Sequence, residues 1–129
     1  MTKNSGSVGV VAPQKIAFEQ PLALQNGQVL PRFDLMVETY GKLNAAKSNA
    51  VLICHALSGN HHVAGKYAES DKHSGWWDNM VGPGKPIDTD RLYVLWLHSL
   101  CVFHISSGLM SLKPGTAQTY YEDFLMFPL

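Results

Sequence analysis

Five consecutive apolar residues, Ala50-Val-Leu-Ile-Cys54, run without a break into His55-Ala-Leu-Ser-Gly59, a turn of small residues. A short apolar run bounded by a turn is the pattern of a strand buried on both faces in a parallel sheet. Such a strand needs a layer on each side, so the chain reads as α/β. Leu92–Leu97, introduced by Asp88-Thr-Asp90, is a second strand of this kind. Open α/β sheets bind ligands at the carboxyl ends of their strands, which makes 55–59 the first candidate site.

Upstream the pattern changes. Ile16–Phe18 and Leu22–Leu24 lead to Asn26-Gly27, the strongest short-range hairpin signal, with Val29 and Leu30 beyond it. Phe33–Tyr40 alternates, with Phe33, Leu35, Val37 and Thr39 on one side and Asp34, Met36, Glu38 and Tyr40 on the other, as in a half-buried strand. Gly41 ends it, and Lys42–Asn49 is a polar linker. The expected architecture is a mixed sheet, a hairpin start followed by parallel strands. Residues 1–13 show little periodicity and are expected to be a flexible leader, 14–97 hold the sheet, and 98–129 form a mostly irregular tail. Trp76–Met80 fits one helical turn, which Gly82-Pro-Gly84 and Pro86 stop.

A chain of 129 residues suffices for one modest core and is too short for two. Lysine plus arginine equals aspartate plus glutamate at ten each, so no net field draws in nucleic acid or an anionic membrane surface. Charged residues are only 16%, which points to surface that something else covers. No apolar stretch nears the roughly 20 residues that cross a bilayer. Met1–Val11 lacks the apolar centre of a secretory signal, so a cytoplasmic location is expected, with Cys54 and Cys101 as buried thiols rather than a disulfide.

The chemistry on offer is that of the turn. A buried strand entering a compact loop leaves backbone N–H groups aimed into a cleft, where they steady an oxyanion. Other candidates fall away on spacing. His55, His61, His62 and His73 match no zinc pattern, so no metal is expected. Gly82-Pro-Gly-Lys-Pro86 misses the phosphate-loop spacing and reads as a rigid turn. Ser58 has no positioned base, and Ser106, Ser107 and Ser111 lack the glycines of a nucleophile elbow. Trp76 and Trp77, beside a glycine-proline turn, read as packing anchors.

Taken in order, Phe33-Asp-Leu-Met-Val-Glu-Thr-Tyr-Gly41, His55-Ala-Leu-Ser-Gly59 with His61-His-Val-Ala-Gly65, and Gly75-Trp-Trp-Asp-Asn-Met-Val-Gly-Pro-Gly-Lys-Pro-Ile-Asp88 resemble the homoserine O-acyltransferase family, closely from about Gly9 to Leu97. The resemblance implies the amino-terminal, incomplete part of an α/β-hydrolase fold, with 14–97 as a partial core. It implies an enzyme that passes an acetyl or succinyl group from coenzyme A to L-homoserine in methionine biosynthesis, working as a homodimer and without a cofactor. That family uses a serine, an aspartate and a histidine, the serine on a Gly-x-Ser-x-Gly-like elbow. No such elbow occurs in the 129 residues. The resemblance places all three catalytic residues beyond Leu129, so no catalytic residue is assigned. The backbone N–H of Leu57 is the implied oxyanion donor, with His55, Ala56, Ser58 and Gly59 shaping the turn.

Past Leu97 the likeness decays. Cys101-Val102 stand where the family resembles a glycine pair, and Leu109, Tyr121 and Leu125 where it has Pro, Gly and Pro, so the tail is expected not to fold as the family's does. Two alternatives stand beside the transferase. One is a non-catalytic truncated remnant or interaction fragment with an exposed sheet edge. The other, a hydrolase of simple esters, shares the fold but not the Trp-Trp-Asp-Asn-Met and Gly-Pro-Gly-Lys-Pro segments.

Overall fold

The computed structural model describes residues 6–54, 56, 62–100 and 115–119. Among them lie eight strands: β1 Gln14–Phe18, β2 Leu22–Ala23, β3 Val29–Leu30, β4 Phe33–Tyr40, β5 Ala50–Ile53, β6 Val81–Gly82, β7 Ile87–Asp88 and β8 Tyr93–Leu97. The chain divides into two compact units, Met1–Gln14 with Val37–Leu97, and Lys15–Met36 with His98–Leu129.

In the second of these, Asn26-Gly27 makes the turn its sequence calls for. Gly27 takes φ +84°, a conformation that costs glycine nothing. The Asn26 side chain accepts the N–H of Gln28 at 2.9 Å, and the N–H of Leu24 donates to the Gln28 carbonyl at 2.9 Å. The turn sets the antiparallel register Leu22↔Leu30 and Ala23↔Val29. β1 lies beside β4, where Phe18 and Phe33 stack with centroids 4.9 Å apart.

The other unit is organised by β8. It pairs antiparallel with the end of β4, from Val37↔Leu97 to Tyr40↔Val94, and parallel with β5, from Ala50↔Tyr93 to Ile53↔Trp96. Its alternate residues Val94 and Trp96 are fully buried and join Tyr40, Ile53, Val63, Ala64 and Val81 in the core. The mixed sheet is therefore present as expected, while the hairpin of β2 and β3 forms a two-stranded sheet of its own. No helix of the described residues is long and apolar enough to cross a membrane.

Two expectations need correction. β5 is not buried on both faces: Ile53 is, but Leu52 is 52% exposed. β5 ends the strand order and packs only one face on the core, so the continuous apolar run does not bring continuous burial. For the same reason Cys54, at the end of β5, is an exposed rather than a buried thiol, while Cys101 lies outside the described residues. Trp76–Met80 does make the single turn expected of it, closed by the Val81 N–H on the Trp77 carbonyl at 3.2 Å before the chain enters β6.

Within residues 1–13, Val10 bridges Lys66, the Val11 N–H donates to the Lys66 carbonyl at 2.8 Å, and Val8 and Val11 pack against the core. That part of the presumed leader is held in place by burial of two valines, a signal too short to show as periodicity. Most of 98–129 lies outside the described residues.

Gly41, which closes β4, has φ +79°, and a Cβ there would stand 2.2 Å from the Leu92 carbonyl oxygen and 2.7 Å from that of Thr89. Gly41→Ala is expected to destabilise the chain by about 2–4 kcal/mol, combining backbone strain with a backbone clash. Urea unfolding of the two proteins side by side measures this, and an unmoved midpoint would refute the close packing at the end of β4.

Candidate functional site

β4 turns alternate residues to opposite faces, and at its end the inward face carries Glu38 and Tyr40 while Thr39 is exposed. Glu38 is 1% exposed and Tyr40 3%. A buried carboxyl group is costly unless its oxygens accept hydrogen bonds. Here both do. The Tyr40 hydroxyl donates to Oε2 of Glu38, and the Tyr67 hydroxyl donates to Oε1 at 2.5 Å. His62 brings Nδ1 to 3.5 Å from Oε2, and its ring leans on that of Tyr67 with centroids 4.0 Å apart. The Tyr40 oxygen in turn accepts the N–H of Ala64 at 3.2 Å. Burial first, and the Glu38 carboxylate second, push the hydroxyl of Tyr40 well above the ordinary phenolic range, and those of Tyr67 likewise.

The segment His62–Gly65 that meets this cluster is gripped from another direction by Gly75–Asp78. The N–H groups of Trp76 and Trp77 donate to the carbonyls of His62 at 3.1 Å and Val63 at 2.8 Å, and that of Gly75 to Gly65 at 3.0 Å. Oδ1 of Asp78 accepts the Gly65 N–H at 2.8 Å. Contact this close requires a glycine, since a Cβ on residue 75 would stand 2.1 Å from the carbonyl carbon of Val63. Lys85 completes the clamp, with Nζ on the backbone oxygen of Asp78 and 3.4 Å from its Oδ2.

Trp77 packs against the core, and Trp76, 44% exposed, stacks on it with centroids 5.3 Å apart. Gly82–Asp88 is a turn closed by its own acid: Oδ1 of Asp88 accepts the N–H groups of Gly84 and Asp90, both at 3.0 Å. Those two donors, Gly84 foremost, hold the Asp88 carboxyl below its usual range.

Of the residues singled out for the oxyanion turn, Ala56 is exposed beyond the end of β5, while His55, Leu57, Ser58 and Gly59 lie outside the described residues. His61, Ser106, Ser107 and Ser111 lie outside them too. His62 joins the Glu38 cluster, and His73 is exposed. Sequence reasoning passed over Glu38, Tyr40 and Tyr67. The available signal was an acid and a phenol two residues apart on one face of a strand, directly upstream of Gly41. Chemically the cluster is an anchor: its carboxylate is occupied by hydroxyl donors, and it ties β4 to the segment that follows the candidate turn in sequence.

No protein-family model matches the chain. It is 64% identical over 126 residues to a homoserine O-succinyltransferase of Neisseria gonorrhoeae, covering 98% of this chain and 33% of that protein. It is 57% identical over 118 residues to that of Dechloromonas aromatica, covering 92% and 32%. The chain thus spans about a third of the length of the curated relatives it matches. Among solved structures, a homoserine O-acetyltransferase from Bacillus anthracis superposes with TM-score 0.81 at 38% identity, covering 89% of this chain and 32% of that one. Esterase E22 superposes with TM-score 0.77 at 40% identity, covering 88% and 33%.

The two raised phenols make the anchor sensitive to alkali. The folded state holds these protons more tightly than the unfolded state does, so their contribution is fully present below the unfolded phenolic pKa and fades as pH rises past about 10. Tyrosinate absorbance followed against pH, with circular dichroism alongside, is expected to show Tyr40 and Tyr67 ionising only as the chain unfolds. A Tyr40→Phe/Tyr67→Phe double variant should lose less stability over the same range. Ordinary titration of both phenols in the folded chain would contradict the cluster.

Proposed function

Because the chain belongs in sequence and fold to the homoserine O-acyltransferase family of the α/β-hydrolase superfamily, we propose that it forms the amino-terminal part of an enzyme that transfers an acetyl or succinyl group from coenzyme A to the hydroxyl of L-homoserine, a step of methionine biosynthesis. The observation that carries this is identity to a homoserine O-succinyltransferase along nearly the whole chain. The same family reading supports a cytoplasmic homodimer that uses no cofactor and has no nucleic-acid or membrane partner.

The proposed reaction runs through a serine supplied by the remaining length of the family's enzymes. Its hydroxyl attacks the thioester carbonyl of acyl-CoA while a histidine takes the proton. The carbonyl oxygen becomes an oxyanion, steadied in part by the backbone N–H of Leu57 in the turn His55–Gly59. Collapse expels the coenzyme A thiolate, which takes the proton from the histidine, and leaves an acyl-serine ester. The homoserine hydroxyl then attacks that ester with the histidine again as base; the ester C–O bond breaks, the histidine returns the proton to the serine oxygen, and O-acylhomoserine leaves. This chain's share is the strand that leads to the turn, the turn itself and the packed segment after it.

A second outcome is favoured by the likeness to esterase E22, in which water would replace homoserine as acceptor. The fold does not decide between them, since both acceptors use the same oxyanion donors.

The 129 residues alone are expected to form no O-acylhomoserine, for they hold no Gly-x-Ser-x-Gly elbow. Joined to the remaining two thirds of the Neisseria gonorrhoeae relative, they should form it from acyl-CoA and homoserine. In that chimera Leu57→Pro, which deletes the N–H, should lower kcat by roughly 100-fold or more, and Leu57→Ala, which keeps it, by no more than a few-fold. Turnover by the isolated chain, or acyl-CoA hydrolysis at one rate with or without homoserine, would overturn the proposal.

A further inference from the structure

We infer that Glu38 is a positioning residue for acyl transfer, acting through Tyr40, Tyr67 and His62 on the segment His62–Gly65; the inference rests on the acyl-transfer reading. Stability does not account for a carboxyl group at this place. Replacing a buried polar cluster by apolar side chains of like volume is commonly neutral or stabilising. β4 is flanked by a core of Tyr40, Val94 and Trp96 that would accept such side chains. What a carboxylate adds is direction, because its two oxygens fix the hydroxyls and the ring that approach them.

The partners of Glu38 are distributed so as to use that direction. Tyr40 lies on β4, two residues along. His62 and Tyr67 flank the fully buried pair Val63 and Ala64, and the Tyr40 oxygen reaches the Ala64 N–H directly. His62–Gly65 is thus tied to β4 through Glu38 and Tyr40, and independently to Gly75–Asp78 through four backbone N–H donors. Two ties from different elements leave this segment little freedom to shift. The pairing of β5 with β8 fixes the chain on the other side of the candidate turn. Displacements of about 1 Å at a reacting centre can lower a rate by roughly 100-fold, so fixing the end of a loop is enough to matter.

Glu38 touches no substrate in this scheme, which separates its effect from that of a binding residue. Loss of its direction is expected to lower transition-state stabilisation and to leave ground-state binding of acyl-CoA alone. In the chimera described above, Glu38→Gln should lower kcat per folded protein by roughly tenfold to a hundredfold while KM for acyl-CoA stays within about twofold. Tyr40→Phe should cost more than Tyr67→Phe, since it also leaves the Ala64 N–H without its acceptor, and faster amide exchange at Ala64 should accompany it.

The decisive variant is Glu38→Met/Tyr40→Phe/Tyr67→Phe, which removes the polar cluster with little change of volume. It is expected to melt at or near the parent temperature and still to show the kcat loss at unchanged KM, and it serves should Glu38→Gln fail to fold. A folded triple variant with parental kcat would overturn the positioning role, and so would a loss seen only in melting temperature. If the parent chimera itself transfers no acyl group, the acyl-transfer reading is what has failed, and the role of Glu38 in that reaction falls with it.

Discussion

A carboxyl group sealed from water must be met by donors, and the donors that meet Glu38 organise much of the unit built on β8. Two hydroxyls donate to it, those of Tyr40 on β4 and of Tyr67, and the His62 ring stands 3.5 Å from it. The cost of burying that group unpaired is several times the worth of an ordinary hydrogen bond. Keeping Glu38 inside therefore calls for the hydroxyls of Tyr40 and Tyr67 to stay where they are. One buried group thereby specifies the relation of a strand to a segment more than twenty residues further along the chain.

The stretch Gly75–Asp88, one of those that carry the family resemblance, is in the structure a piece of framework. Gly75 exists so that two backbones can touch, Asp78 accepts the amide of Gly65, and Lys85 holds Asp78. None of these side chains needs to meet a substrate to be irreplaceable. A motif that is highly specific to a family is therefore no guide, by itself, to which residues do chemistry. Here it grips the same four residues that the Glu38 cluster reaches from the other side.

Legibility in the sequence followed the range of the interactions. Asn26-Gly27 announced its hairpin because a turn conformation is decided by the two residues that make it. Phe33–Tyr40 and Leu92–Leu97 were readable because period and apolar run lengths are local properties. The burial of Ala50–Cys54 is not legible in the same way, because an apolar run says what a strand tolerates on each face and not what is there to cover it. Glu38 went unread for a related reason: alternation puts it on one face with Tyr40, yet whether that face is wet or dry depends on His62–Gly65, far away in sequence. The packing of Val8 and Val11 likewise depends on Lys66 and the core beyond it. The oxyanion turn rests on a strand-to-loop junction and a family likeness, and of its residues only Ala56 is among those described.

β5 poses a question that the described residues do not answer among themselves. Parallel strands occur almost only in sheets covered on both faces, because their crossovers lay other elements across them. β5 is parallel to β8, lies at the end of the strand order and shows Leu52 to solvent. Such an edge is also what invites pairing with another chain. Relatives three times as long have residues to spare for covering this face and extending this edge. The exposed leucine and the sparse charge are thus the same observation at two scales: a surface composed as an interior. A piece of a longer fold and a sticky fragment share that surface, and what separates them is whether further chain covers it.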